Sequence, residues 1–279
     1  MTLYHFSGAG NNFVVLDGRN ADMSTYRDPS TIVRLCTQYH TDGLMILSVI
    51  PSAVEESPDF TMEFFNPDGS GGMMCGNGGR CIAAFADYLG IHPSDGRIFH
   101  FLAPDGLHTA QLLEKNAEGW TIRLQMKDVS GITPVLGGYF LDTGTRHYVR
   151  FVDDVEAIDL DVEGPRYRHD PAFAPIGANA NFVQRLPGGG IKVRTFEKGV
   201  EGETLACGTG ITASAIAAWY DTHCHSELPS CHFERSREIS TPVRARQDNL
   251  CVDFTPTSPT TFTSVYLTGP VVLLTTYNM

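Results

Sequence analysis

Two cysteine-glycine segments are the positions in this sequence best suited to proton chemistry. One, Cys-Gly-Asn-Gly, begins at Cys75, and the other, Cys-Gly-Thr-Gly, begins at Cys207. An alanine-rich apolar run follows each segment, so we expect a tight turn that leads into a buried helix. Free backbone N–H groups and the positive end of the helix dipole would then stabilise a thiolate, and the same N–H groups can hold a carboxylate.

Two such thiols in one chain predict a two-base proton exchange. One thiolate would remove a proton from one face of a carbon, and the other thiol would deliver a proton to the opposite face, which inverts the carbon. A substrate carboxylate between both helix ends would be stabilised as negative charge develops. A reversible disulfide between Cys75 and Cys207 is compatible with this chemistry, because two thiols separated by a small substrate could oxidise when the site is empty.

The elements that would position these cysteines occur twice along the chain. A strand-turn-strand pattern over 4–17, further strands and a polar loop precede Cys75, and a similar hairpin pattern over 139–152 opens the series that leads to Cys207. The two cysteines are 132 positions apart (207 minus 75). An internal duplication is the simplest explanation, and it predicts a cleft between two similar halves.

Composition favours an ordinary globular protein and limits its partners. The chain has 279 residues, 42% hydrophobic residues and a net charge of -12. This charge argues against nucleic acid or an anionic membrane as the main partner. The seven cysteines are odd in number and follow no secretory signal, so we expect a cytoplasmic protein with free thiols rather than a disulfide framework.

The segment 222–240 has no clear hydrophobic period and is interpreted as an atypical insertion. It places two cysteines and three histidines within residues 223–232, which raises the alternative of a metal site. Each cysteine is directly followed by a histidine, as Cys224-His225 and Cys231-His232, and these adjacent pairs lack the spacing of zinc-binding clusters. We therefore favour a surface insertion and predict no bound metal.

The cysteine segments and their surroundings resemble the signatures of diaminopimelate epimerase. The segment from Phe65 to Cys81 is similar to the first signature of that family, and the segment from Gly202 to Gly210 to the second. The stretch 8–17 is similar to the family's N-terminal motif. The resemblance runs from residue 5 to about 220 and resumes at about Val243.

This resemblance implies an α+β fold of two similar domains from an internal duplication, each a β-barrel-like sheet around a central helix, with the active site in the cleft. The expected domains are residues 1–128 plus 265–279, which carry Cys75, and residues 129–264, which carry Cys207. The implied reaction interconverts LL- and meso-diaminopimelate, on the route to lysine and peptidoglycan, without pyridoxal phosphate or another cofactor. The resemblance also implies a cytoplasmic homodimer that binds a small-molecule amino-acid substrate. It implies no nucleic-acid or membrane partner.

The resemblance further assigns roles to single residues. Cys75 and Cys207 match the acid/base pair, and Glu197 and His147 match further catalytic positions. Positions that match substrate-binding residues are Asn11, Asn66, Gly76, Asn77, Asn179, Lys198, Gly208 and Thr209.

Two of these regions depart from the family pattern. Lys198 stands where the family usually has arginine, and Thr145 stands where it has asparagine. Because lysine offers a point charge in place of the planar fork of arginine, recognition of a distal carboxylate is expected to differ. The alternatives are a two-cysteine racemase or isomerase of another amino or carboxylic acid, and a relative that binds an amino acid without turning it over.

Overall fold

The computed structural model describes residues 1–49, 58–72, 74–224, 237–246 and 248–278. The helices are α1 (Pro29–Tyr39), α2 (Gly76–Tyr88), α3 (Leu160–Arg168) and α4 (Gly208–His223). The strands are β1 (Thr2–Gly8), β2 (Asn11–Asp17), β3 (Gly43–Ser48), β4 (Phe60–Phe65), β5 (Ile98–Ala103), β6 (Gly106–Asn116), β7 (Gly119–Gln125), β8 (Val129–Ser130), β9 (Ile132–Val135), β10 (Gly138–Asp142), β11 (Arg146–Phe151), β12 (Asn179–Arg185), β13 (Ile191–Glu197), β14 (Gly202–Thr204), β15 (Ile239–Arg244), β16 (Asn249–Ser258) and β17 (Thr261–Asn278).

The chain forms two compact units. Unit 1 comprises Met1–Leu124 with Gly269–Met279, and unit 2 comprises Gln125–Thr268. Strand β17 therefore contributes its first part to unit 2 and its second part to unit 1.

In unit 1 the strands close into a barrel. They pair in the order β1, β2, β3, β4, β5, β6 and β7, and the second part of β17 pairs with both β7 and β1. The β2–β3 and β4–β5 pairs are parallel, and the other pairs are antiparallel. Closure satisfies the hydrogen-bonding groups of strands that would otherwise lie at an edge.

Unit 2 repeats this pattern of pairing. Its order is β10, β11, β12, β13, β15, β16 and the first part of β17, with β11–β12 and β13–β15 as the parallel pairs. Strand β8 pairs with β17, and β9 pairs with β10, so the continuous β8–β9 segment closes the ring. The predicted α+β fold of two similar, barrel-like halves from an internal duplication is confirmed.

Helices α2 and α4 occupy equivalent places and are buried, as predicted. In α2 every residue from Gly76 to Ala86 is buried, and α4 is buried almost throughout from Gly208 to Trp219. Small residues let the surrounding strands approach these helices closely. The polar Thr212 and Ser214 hydroxyls donate to the carbonyls of Gly208 and Gly210 at 2.9 and 2.7 Å, which satisfies them inside the core.

Helices α1 and α3 pack on the strands of their own units. At the start of α1 the Asp28 carboxylate accepts from the backbone N–H of Thr31 at 3.0 Å, and Cys36 lies in the core. Helix α3 was not predicted, because Gly164 and Pro165 inside it weaken the helical signal. Gly164 is required there, since an added Cβ would collide with the ring of Phe196.

Cysteine chemistry partly departs from expectation. Cys36, Cys75, Cys81, Cys207 and Cys251 are free thiols, but Cys224 is disulfide-bonded, which corrects the expectation that all thiols are free. Most of the 222–240 segment, including Cys231, lies outside the described residues. Across the described ranges, none of the helices has the length and apolar character needed to cross a membrane.

Candidate active site

Cys75 caps the N-terminus of α2 with its sulfur. Its backbone is extended, with φ -103° and ψ 149°, and its Sγ accepts a hydrogen bond from the Gly78 N–H at 3.1 Å. This is the position that a serine or aspartate oxygen usually takes at a helix start. The sulfur therefore faces backbone N–H groups and the positive end of the helix dipole, which favour its thiolate form. The side chain is partly exposed.

Cys207 occupies the equivalent position before α4 in different surroundings. Its backbone is also extended, and its carbonyl accepts the helical hydrogen bond from Ile211 N–H at 2.8 Å. The residue is only 6% exposed, and its Sγ lies 3.4 Å from the hydroxyl of Thr209. Each thiol thus lies at the start of its own helix, but the two differ in exposure and in their hydrogen-bonding neighbours.

Thr209 connects Cys207 to the buried His147. The His147 Nε2 lies 2.9 Å from the Thr209 Oγ1 and 2.9 Å from the Thr145 Oγ1, and these two hydroxyls are 3.0 Å apart. A second threonine, Thr143, donates its hydroxyl to the Thr209 carbonyl at 2.9 Å. The turn between β10 and β11 and the start of β11 thereby bind the first turn of α4.

The hydrogen bonds of Asn181 determine which ring nitrogen of His147 carries the proton. Its amide nitrogen donates to the Tyr148 carbonyl at 2.9 Å, and its oxygen accepts from the Thr195 hydroxyl at 3.0 Å, so the amide orientation is fixed. The same nitrogen lies 3.1 Å from the His147 Nδ1, which must accept. The proton of the neutral ring is therefore on Nε2, directed at the threonine hydroxyls.

Burial keeps the His147 ring neutral. The residue is fully buried, and the loss of water around the charged form lowers the pKa of His147 to about 3. The neutral Nε2–H points at the hydroxyls of Thr145 and Thr209, both 2.9 Å away, and the Thr209 hydroxyl lies 3.4 Å from the sulfur of Cys207. This arrangement places a hydroxyl beside the thiol. Because the ring is neutral, it adds no positive charge to that of the helix N-terminus.

Asn179 and Glu197 lie at neighbouring strand ends of unit 2. The Asn179 oxygen accepts from the Lys198 backbone N–H at 2.7 Å, and its nitrogen donates to the Arg146 carbonyl at 3.2 Å. Asn179 therefore holds the turn that follows β13, in addition to any contact with a ligand. Glu197 ends β13 and is half-buried, whereas Lys198 is exposed.

A carboxylate anchors this turn to α3. Glu201 accepts from Arg168 at 3.2 Å and from the His169 ring at 3.1 Å, and its backbone N–H donates to the Glu197 carbonyl at 2.8 Å. Arg168 is 8% exposed, so this ion pair is shielded from water on one side. The turn that carries Lys198 is thus held at both ends.

Three asparagines predicted to bind substrate lie in unit 1. Asn77 donates its amide to the oxygen of Asn11, and Asn66 donates to the Ser70 hydroxyl at 3.0 Å within the loop before α2. Gly76 and Asn77 form the buried first turn of α2. The structure therefore brings Asn11, Asn77 and the turn that begins at Cys75 together in one unit.

Sequence reasoning missed several residues of these networks. They are Asp42 and Arg80 in unit 1, and Thr143, Asn181 and Thr195 in unit 2. Asn181 could have been found, because it lies two positions from Asn179 on a strand and so points to the same face. The others become neighbours only through sheet pairing.

Comparisons with known proteins identify related sequences and structures. A family model described as diaminopimelate epimerase matches residues 139–233. A diaminopimelate epimerase from Flavobacterium psychrophilum is 39% identical over 220 residues, covering 78% of this chain and 81% of the relative. The chain belongs to the diaminopimelate epimerase family. Membership makes it an isomerase, as predicted.

Solved structures with lower identity show the same fold. A phenazine biosynthesis protein from Bacillus anthracis superposes with a TM-score of 0.72 at 14% identity, over 100% of this chain and 98% of the other. A probable proline racemase from Agrobacterium radiobacter gives a TM-score of 0.63 at 11% identity, over 100% and 92% of the two chains. These likenesses support the fold that was expected of the diaminopimelate epimerase family.

Proposed function

We propose that this epimerase interconverts LL- and meso-diaminopimelate by inverting one α-carbon with two cysteines. The observation that carries the proposal is that Cys75 and Cys207 precede the equivalent buried helices of a duplicated fold. Diaminopimelate is named as the substrate because the relatives that match most of the chain carry that name.

The proton balance needs no group other than the two thiols. In the LL-to-meso direction the Cys207 thiolate takes the α-proton and becomes a thiol, while the Cys75 thiol gives its proton to the opposite face and becomes a thiolate. The carbon–hydrogen bond that breaks and the one that forms leave the number of protons unchanged. Backbone N–H groups at Gly76–Asn77 and Gly208–Thr209 would stabilise the charge that develops on the carboxylate.

His147 and Thr209 are assigned to positioning in this proposal. With a pKa of about 3, His147 stays neutral at the pH where a cysteine pair works, so it is a poor proton carrier. Its Nε2–H orients the Thr209 hydroxyl, 3.4 Å from the Cys207 sulfur. A hydroxyl that donates to a thiolate favours the form that accepts the substrate proton. Glu197 is assigned to the substrate's amino group by family resemblance.

The remaining assignments rest on the family resemblance alone. Asn11, Asn66, Asn179 and Lys198 are proposed to contact the polar ends of the substrate. We also propose that the enzyme works as a cytoplasmic homodimer, without metal or cofactor, and supplies meso-diaminopimelate for lysine and peptidoglycan synthesis.

Solvent-deuterium incorporation tests the proposed reaction. We expect deuterium at the α-carbon of LL-diaminopimelate together with formation of the meso isomer, measured by NMR and chiral chromatography. Cys75→Ala and Cys207→Ala should each lower the rate of inversion at least ~100-fold, since general acid–base groups contribute ~100–10,000-fold.

A matched control separates the two thiols from cysteine chemistry in general. Cys251→Ala changes another partly exposed free thiol and should leave the rate unchanged. Exchange only into a different amino acid would transfer the proposal to another substrate, which the Lys198 and Thr145 departures make a specific alternative. Full inversion activity in either single cysteine variant would refute the two-base mechanism.

A further inference from the structure

Four polar side chains of unit 1 form a continuous line of hydrogen bonds beside Cys75. The Arg80 Nη2 donates to the Asn77 Oδ1 at 2.9 Å, and the Asn77 Nδ2 donates to the Asn11 Oδ1. The Asn11 Nδ2 then donates to the Asp42 Oδ2 at 3.2 Å. Asn11 and Asn77 were expected near substrate, whereas Arg80 and Asp42 had no assigned role.

The chemistry of the two ends fixes the direction of the line. A guanidinium can only donate and a carboxylate can only accept, so both amides must point their oxygens toward Arg80 and their nitrogens toward Asp42. The backbone N–H of Asn12 donates to the same Asp42 oxygen at 2.8 Å, which holds this acceptor in place. Asparagine orientations that are ambiguous in isolation are therefore determined here by their neighbours.

Arg80 is well placed to enforce this direction. It lies four residues after Gly76 in α2, and side chains on a helix lean toward its N-terminus, so its guanidinium reaches back to the first turn. It is 0% exposed and also donates to the Gly76 carbonyl at 3.4 Å. A rotated Asn77 amide would aim N–H groups at a buried cation, which is strongly unfavourable.

We propose that Arg80 and Asp42 are positioning residues that present the Asn11 amide nitrogen, and not its oxygen, to the substrate. The oxygen of Asn11 already accepts from Asn77, and one of its two N–H groups is directed at Asp42. The second N–H is a donor suited to a carboxylate oxygen. Asn11 therefore selects a carboxylate of the amino-acid substrate over its ammonium group. This inference rests on the proposed function, because it refines how the same site binds its substrate.

Two pairs of variants test the roles of Arg80 and Asp42, the residues at the two ends of the hydrogen-bonded line. Arg80→Met removes the donor, and Arg80→Lys keeps a cationic donor; Asp42→Ala removes the acceptor, and Asp42→Asn keeps an oxygen acceptor. We expect KM for LL-diaminopimelate to rise ~10-fold in Arg80→Met and Asp42→Ala, as for the loss of one oriented hydrogen bond to a charged group. The rise in the two conservative variants should stay below ~3-fold, and kcat should change less than KM in all four. Because Asp42 is exposed, its pair remains informative if Arg80→Met fails to fold.

A second measurement does not depend on turnover. Pimelate, which keeps both carboxylates of the substrate and lacks its amines, should protect Cys75 from iodoacetamide, and 1,5-diaminopentane should not. Protection by pimelate should weaken ~10-fold in Arg80→Met and Asp42→Ala.

The outcomes separate this inference from the proposed reaction. If the protein fails to epimerise diaminopimelate but pimelate protection depends on Arg80 and Asp42, the reaction is wrong and the inference stands. Normal epimerisation with unchanged KM and unchanged protection in Arg80→Met and Asp42→Ala would overturn the inference. Equal protection by the diamine, or no protection by pimelate in the unaltered protein, would overturn it as well.

Discussion

At the scale of single residues, the two thiols are chemically unequal although their helix positions are equivalent. Cys75 is partly exposed and accepts from a backbone N–H, whereas Cys207 is buried and lies next to the Thr209 hydroxyl. The fully buried His147 supports that hydroxyl as a neutral donor. The two thiols therefore differ through Gly78 and Thr209 inside the cysteine segments and through His147 outside them.

The buried neutral imidazole predicts a distinct pH dependence of stability. The folded protein keeps His147 neutral down to about pH 3, whereas the unfolded chain binds a proton near the ordinary pKa of 6.5. Between these values the unfolded state binds more protons, so the free energy of unfolding falls as pH falls. His147→Gln should remove up to one proton from this dependence, about 1.4 kcal/mol per pH unit.

Urea denaturation between pH 4 and pH 8 measures this effect. Above about pH 6.5 the two curves should differ only by a constant offset from the substitution itself, and below that pH the free energy of unfolding of the unaltered protein should fall more steeply than that of the variant. Carboxylates that are ion-paired in the folded state contribute the same slope to both proteins and cancel in the difference. Parallel curves would contradict a buried neutral imidazole at His147.

At the scale of elements, the first turn of α4 packs so closely on its neighbours that position 210 has no room for a side chain. An added Cβ at Gly210 would collide with the Asn181 Oδ1 and come within 3.3 Å of the His147 Cε1. The first turn of α4 can therefore lie against His147 of β11 and Asn181 of β12 only because this position is glycine. The N-terminal turn is thus part of the site geometry as well as a helix start.

Gly210→Ala tests this requirement. Alanine gains about 1 kcal/mol of helix propensity over glycine. The collision should cost more, ~1–3 kcal/mol, because Asn181 and His147 are both buried and bonded. We expect a lower urea midpoint and at least a ~10-fold loss of epimerase activity. Gly71→Ala is the control, since an added Cβ there meets nothing within 4 Å and should leave both properties unchanged. An active Gly210→Ala variant of unchanged stability would contradict the close packing.

At the scale of the whole molecule, each barrel is closed by one further strand segment. In unit 1 it is the second part of β17, and in unit 2 it is the β8–β9 segment. Unit 1 uses the second part of β17, whose residues Val271–Asn278 pair with Thr2–Gly8 of β1. The first part of the same strand belongs to unit 2. The C-terminal residues are therefore structural for unit 1, although they lie far in sequence from Cys75.

Truncation after Pro270 should open unit 1. Without the closing strand, β1 becomes an edge, and the fully buried Leu3 and Phe6 lose cover. We expect loss of cooperative unfolding and early proteolytic cleavage within residues 1–124, followed by mass spectrometry. A chain that ends at Tyr277 keeps the pairing of Leu3 with Tyr277 and should behave as the full chain. Equal protease resistance of both truncated chains would show that closure is dispensable.

The sequence by itself determined the repeated order of elements, the helix starts at Cys75 and Cys207, the fold class and the family. These features are local, because glycine turns, helix starts and apolar runs are written in consecutive residues. It did not determine α3, where Gly164 is kept for contact with Phe196 rather than for helix propensity.

Only the tertiary structure decided which side chains surround the thiols. Thr209 meets His147 across 62 positions, and Asn77 meets Asn11 across 66, since strand pairing and helix burial bring distant segments together. The direction of each hydrogen bond then follows from neighbours that only donate or only accept. Burial adds the last element, because the pKa of His147 depends on the water that the fold removes and not on the residues beside it in the chain.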